Sequence, residues 1–426
     1  MHRNNQDVFA RLLTSNKHIK EVQMKRETLF KTIFILLSIS LLLPFSRIIL
    51  VGHVVNLNAW INLMLFLILF TYYLFMKRKS IFTIIFFLCF TFYIFLGFYR
   101  TNDSQVTFSH VFTYFPFIIA ILIQEINVRY DVKKVLIYFT ICAAISSFSA
   151  ILIQYFYQNV FYSINYDIDV SSIESKLEWG RISWIGSAVA LPLIAQIGFL
   201  NIFSKKEKYI ISISLISIVL GLVFTFNRTF LLAFTFLMLY VVLINTGKFR
   251  FKILVVVSLL LFLSILVINN LKDFVPNLEN LIDYRILGFF KGQSSIKGDI
   301  ESRQILYNQY IENILNNNLL GQGFGLPFST IPEPRAWSDV TLISFLIPMG
   351  FIGVILFVIF LIKILIKIKR NIDNNQVKKL YIVVLLLSIL VSFNDDIWSH
   401  KNFPIIFVFM INSFQLINLN HKQQKI

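Results

Sequence analysis

Twelve apolar runs, each near the length that crosses a bilayer, constrain this chain more than any other feature. A spanning helix needs about 20 residues. The runs are Leu29–Val51, Leu57–Phe75, Ile81–Tyr99, Phe108–Gln124, Val135–Tyr155, Ile182–Phe203, Tyr209–Phe226, Thr229–Asn245, Phe251–Asn269, Thr341–Ile362, Leu380–Phe393 and Phe403–Ile417. In hydrocarbon each backbone polar group must find its partner inside the protein, so runs of this kind fold as helices. The expected fold class is all-α: a polytopic membrane helical bundle of about 12 transmembrane helices with a large, partly helical outer loop. The expected layout is a leader over 1–28, nine helices over 29–269, the loop over 270–340, three helices over 341–417 and a tail over 418–426. The first run follows a long polar leader and exceeds a signal-peptide core in length, so no cleavable signal is expected.

Charge gives the orientation. Charged residues make up only 14% of the chain, against roughly 25% in a water-soluble domain. The net charge of +17 would suit nucleic acid if it were gathered on one face. Instead the basic residues fall in short loops at alternate ends of the runs, the pattern of cytoplasmic loops. With the N-terminus inside, each inner segment except the tail carries at least three Lys or Arg. Both termini are then cytoplasmic, and no nucleic-acid partner is implied. Cys89 and Cys142 lie inside apolar runs and form neither a disulfide framework nor a metal spacing, and His53 and His110 have no partner spacing for a metal. No metal or other cofactor is expected.

The remaining signal lies on the outer side. Tyr157–Gly180 is a medium acidic loop, and Asn270–Val340 is far longer than a connection between packed helices needs. Within it Ile300–Asn316 reads as an amphipathic helix with Asp299 as N-cap and with Tyr307, Ile311, Ile314 and Leu315 on one face. Gly321-Gln322-Gly323-Phe324-Gly325 reads as a flexible turn leading back to the tenth run, since it lacks the preceding strand of a nucleotide-binding loop.

Arg181, Arg228, Arg303 and Arg335 lie on this outer side. Arg228, between two runs that barely reach spanning length, is held at the interface. It either snorkels to headgroups or supplies a fixed cation for a phosphate-bearing lipid, because guanidinium binds phosphate bidentately. Arg181 opens the sixth run beside Trp179 and Trp184, where an interfacial belt is expected. A solvated position is the default for Arg303. Asp339 stands at the mouth of the tenth run, either as the cap of that helix or as a base. Asp395, Asp396 and His400 follow the short eleventh run. If that run spans, its acidic residues lie below the interface, where ionisable groups point to function; a tilt or a longer helix is the alternative.

The stretch from Arg303 to Gly353 resembles the O-antigen ligase and polymerase superfamily of bacterial surface-polysaccharide assembly. It carries Arg303, the Asn-rich approach Ile314–Asn318, the Gly321/Gly323/Gly325 cluster, Asp339, and the pair Gly350-Phe351-Ile352-Gly353. Upstream, Thr225-Phe226-Asn227-Arg228 resembles the family's turn of a small polar residue and arginine. Ligases of this family open the post-loop helix with His-Asn; Asp339-Val340 stands here, which favours the polymerase branch. The resemblance implies a glycosyltransferase of the bacterial inner membrane that takes a polyprenyl-pyrophosphate-linked oligosaccharide and builds capsule, exopolysaccharide or O-antigen. A flippase and a chain-length regulator would be its partners besides membrane lipids. It assigns Asp339 and Arg303 to the catalytic step, and Arg228 with Arg181 and Arg335 to the pyrophosphate. Three other classes remain: ligase-type transfer to a different acceptor, a lipid-linked oligosaccharide flippase, and an unrelated multi-span lipid-sugar glycosyltransferase, whose acidic first outer loop has no counterpart in Gly52–Asn56. Against the flippase, the charges sit at run ends rather than at the bilayer midplane.

Overall fold

In the computed structural model, the described residues are 27–43, 48–50, 53–55, 57–76, 78–126, 131–156, 184–225, 227–244, 294–316, 319–326, 340–393, 395–398 and 401–414. The ninth run, most of the 270–340 loop, the leader and the tail lie outside them. Among the described residues helices dominate. They are α1 (27–42), α2 (Leu57–Leu74), α3 (Ile81–Thr101), α4 (Ser104–Thr113), α5 (Phe115–Ile126) and α6 (Val132–Phe156), then α7 (Ala190–Ile194), α8 (Lys205–Phe224) and α9 (Arg228–Ile244). After them come α10 (Ser294–Asn316), α11 (Thr341–Asn371), α12 (Asn375–Val391) and α13 (Phe403–Ser413). Five of these are long and apolar enough to cross a membrane by themselves, and a sixth span counts if α4 and α5 form one bent crossing.

Each described run is helical, but the breaks depart from expectation. The first helix ends at residue 42, not near Val51, because Pro44 excludes the helical conformation from the residue before it. Residues Ile48–Leu50 (β1) and His53–Val55 (β2) then pair as a short antiparallel ribbon, with Ile48 opposite Val55. The class is therefore helical with one small β ribbon. The fourth run is two helices bent by 52° at Tyr114, where Pro116 removes an amide from the ladder. The Asp103 carboxylate caps its start, accepting from the Gln105 and Val106 amides at 2.8 and 3.1 Å. The sixth run is α7 between two 3₁₀ segments, Ile185–Val189 and Ala195–Ile202. It contains Gly186, Pro192 and Gly198. Its irregular backbone is tolerated at membrane depth because residues 186–199 are buried among other helices.

Two helices begin earlier than expected. α10 starts at Ser294, so Asp299 is interior and not its cap; the cost of about 1 kcal/mol for Gly298 in a helix is too small to stop it. α12 starts at Asn375, where the Asn374 side chain accepts from the Gln376 and Val377 amides. Its 17 residues reach roughly 26 Å, nearer the bilayer core than the expected 14 residues.

The glycine stretch is a packed plug, where a flexible turn was expected. Gly321, Gly323 and Gly325 have φ of +90°, +86° and +97°, and Phe324 is fully buried, its ring 4.8 Å from Phe90 and 5.1 Å from Tyr114. Its four amides from Gln322 to Gly325 all have partners. Gln322 and Gly323 amides donate to the Ile347 and Pro348 carbonyls, Phe324 to Tyr93 O, and Gly325 to His110 Nδ1 at 2.8 Å. The Tyr93 hydroxyl donates to Leu320 O and Arg100 Nη1 to Gln322 O. α11 makes this possible: Pro348 and the non-helical Gly350 (φ +60°) break its ladder, the plug takes up the Ile347 and Pro348 carbonyls, and the Tyr114 hydroxyl takes the Ser344 carbonyl.

The opposite end of α11 holds buried charge. Lys363 and Lys367 belong to this 31-residue helix and not to a loop. Lys363 pairs with Glu125 at 2.8 Å and donates to Ser80. Lys367 donates to Gln124 O and to Asn412 Oδ1, and Asn412 in turn donates to Ile123 O.

Candidate functional site

Three distant pieces of chain meet where α11 begins. The first is the turn into α9. Asn227 Oδ1 accepts from the Thr229 and Phe230 amides at 3.1 and 3.4 Å and so caps α9. Its Nδ2 donates to Asp395 Oδ2 at 3.3 Å. One side chain thus fixes the helix start and ties it to a carboxylate 168 residues away.

The second piece is the segment after α12. The Asp395 amide donates back to Val391 O, and Lys401 Nζ lies 2.6 and 2.7 Å from the two Asp395 oxygens. The Lys401 ammonium also stands 5.5 Å from the Phe230 ring centroid, on α9 again. Asp396 is 3% exposed, and its Oδ1 accepts from Thr341 Oγ1 at 2.8 Å. Trp398 anchors the segment: it is fully buried, edge-on to Phe403 and Phe360. At its end Asn402 joins Ser40, Asn58 and Asn62 in a buried amide cluster.

The third piece is the start of α11. The Thr341 amide donates to Ser392 O at 3.0 Å, so α12's last turn receives the first turn of α11. The cap position is Val340. Asp339, the residue before it, lies outside the described residues.

The geometry brings Arg228, as the first residue of α9, to the turn that contacts Asp395, and brings Asp396 to the residue two beyond Asp339. Arg303 is helical in α10, whose Tyr310 packs with Ile347 of α11 alongside Tyr307 and Ile314. Position 303 falls on the same face as Tyr307, Tyr310 and Ile314 by helical spacing. The side chains of Arg228 and Arg303, and the whole of Arg181, Arg335, Asp339 and His400, lie outside the described residues. Among the described residues no group of three His, Cys, Asp or Glu is placed to hold a metal.

Lys401, Asn227 and Thr341 are the members that sequence reasoning passed over. Lys401 carried a signal, a lysine six residues from Asp395 in a loop too short to separate them. Asn227 sits inside the quoted turn, and an Asn before an apolar run is a helix-start signal in its own right. Chemically the arrangement sets a helix N-terminus, an arginine position and a lysine against carboxylates. Positive helix ends and guanidinium both favour a phosphate.

Comparison with known protein families, with curated proteins and with solved structures gives no match to this chain.

Proposed function

We propose that this chain is a polymerase of lipid-linked oligosaccharide repeat units, acting at the outer face of a bacterial inner membrane. In this reading it has twelve spans, cytoplasmic termini and an outer 270–340 loop. The observation that carries the reading is the meeting of the Asn227-Arg228 turn with Asp395 at the start of α11. Through the adjacent Asp396, which accepts from Thr341, it links two stretches, 225–228 and 303–353, that resemble the superfamily separately. The acceptor sugar hydroxyl attacks the anomeric carbon of the donor; the new glycosidic bond forms as the bond to phosphate breaks, and the lipid pyrophosphate leaves. Arg228 and Arg303, with Arg181 and Arg335, hold that pyrophosphate as its charge develops. Asp395 is engaged by Lys401 and Asn227, and Asp396 by Thr341. In this reading Asp339 is the base that takes the hydroxyl proton. The pyrophosphate bond supplies the driving force, so no metal or nucleotide is invoked.

In proteoliposomes supplied with the lipid-linked repeat unit, the wild-type chain should yield a ladder of polymer. Asp339→Asn should lower its rate roughly 10²-fold or more, as loss of a positioned base does, at unchanged protein level. Arg228→Lys should be comparably impaired, because it keeps charge but loses the bidentate fork. No ladder from the wild-type chain, with lipid-linked units crossing the bilayer instead, would replace a polymerase with a flippase. A full-rate ladder from Asp339→Asn would remove Asp339 as the base.

Sidedness has its own test. Single cysteines at Ser294 and Asn374 should react from opposite sides with a membrane-impermeant maleimide, Ser294 from outside. Outside labelling of Asn374 would invert the topology and place the site on the wrong face.

A further inference from the structure

α10 carries three stripes where a helix folded into a solvated loop needs two. One is protein-facing: Tyr310 is buried with Ile347, and Leu306, Tyr307 and Ile314 pack there with Ile343. A second is polar and exposed, Asn308, Glu312 and Asn316 at four-residue spacing. Between them run Ile311 and Leu315, 53% and 61% exposed, and beyond the helix end Leu320 is 69% exposed. Water is a poor neighbour for three adjacent aliphatic side chains.

The apolar edge does not stop at α10. The Phe351 amide donates to Leu319 O at 3.1 Å, and a Cβ on Gly350 would run into the Leu320 backbone. Leu320 is thereby fastened beside Phe351, Ile352 and Ile355, which are 54%, 43% and 55% exposed on the outside of α11. α11 is one of the helices long and apolar enough to cross a membrane, and exposed aliphatic and aromatic side chains on such a helix face lipid. The exposed edge of α10 is therefore continuous with a hydrocarbon-facing surface. The plug fixes the depth. It reaches Tyr93 of α3, eight residues inside that helix's Thr101 end, or roughly 12 Å at the helical rise.

We propose that α10 is an interfacial helix lying in one leaflet, with its Ile311–Leu315 edge and Leu320 resting on the hydrocarbon chains that surround the first half of α11. Its polar stripe faces the headgroups and water, and its buried stripe holds it to α11. This does not depend on the reaction proposed above. It makes the second half of α10 a membrane-seated element rather than part of a free loop.

The test uses the full chain with Cys89 and Cys142 replaced by alanine, and a nitroxide on single cysteines in phosphatidylglycerol–phosphatidylcholine vesicles. Ile311→Cys, Leu315→Cys and Leu320→Cys should collide with oxygen and be shielded from a water-soluble nickel chelate, matching Ile355→Cys as the lipid reference. Glu312→Cys should show the reverse. If 311, 315 and 320 behave like 312, the edge is solvated and the proposal fails. If they are shielded from both reagents, a second copy or another part of the chain covers the edge, and it fails equally.

Discussion

Gly323→Ala is expected to deprive the chain of a stable fold. The residue has φ +86°, and a Cβ there would stand 2.5 Å from the Gly97 amide nitrogen. Strain at such a backbone conformation costs about 1–3 kcal/mol, and overpacking adds a similar amount, roughly 1–3 kcal/mol. Neither can relax cheaply, because the obstructing atoms are backbone of a packed helix. The plug would withdraw, leaving the Ile347, Pro348 and Tyr93 carbonyls without donors inside the bundle. Gly298→Ala, in the interior of α10, is the control and should be neutral or stabilising by up to about 1 kcal/mol. Thermal unfolding followed by fluorescence-detected size exclusion in detergent checks both. An unchanged midpoint for Gly323→Ala would show that the plug contributes little to the fold.

The second large effect is expected at the other end of α11. Glu125→Met removes the one carboxylate that faces Lys363 among the described residues and leaves two lysines, one turn apart, in a partly buried setting. The pair is partly buried, its side chains 27% and 13% exposed, so deleting one partner costs about 1–3 kcal/mol, between the exposed and fully buried cases. The double variant Glu125→Met with Lys363→Met should recover most of that loss, since neither charge then remains unpaired. The same unfolding assay reads the cycle. If the double variant is no more stable than Glu125→Met alone, the cost lies in packing and not in charge.

Both effects concern features that the sequence shows only in part. Apolar runs locate helices because the hydrocarbon requirement acts residue by residue. Helix α3 was legible to within two residues, Ile81–Tyr99 against Ile81–Thr101. Breaks depend on what surrounds them. Pro44 and Pro116 are visible, but the sixth run's irregular course is tolerated only because other helices enclose it. The plug could be read as a glycine turn, yet the carbonyls that hold it lie on α3 and α11. Within the candidate site, Asp395 and Asp396 stood out as acids at the end of a short run. Their partners did not: Asn227 and Thr341 are ordinary polar residues until the fold brings them against carboxylates 168 and 55 residues away in sequence. Lys363 and Lys367 counted as loop charges because Ile364–Ile366 gives no hint of how far the helix continues.

The docking of the plug also has a consequence in time. The Tyr93 hydroxyl and Leu320 are 227 residues apart, and a ribosome adds roughly 5–20 residues per second. For about 10–45 s during synthesis, α3 sits in the bilayer with the notch at Gly97 empty and its glycine surface bare. The first helices must be held loosely enough to admit the segment, and firmly enough not to close over the gap. Later links follow, since Asn402 accepts from Asn62 across 340 residues and Asn412 donates to Ile123 O across 289. The chain therefore matures from its C-terminal end, and a nascent product truncated before residue 319 would hold its early helices without the piece that locks them.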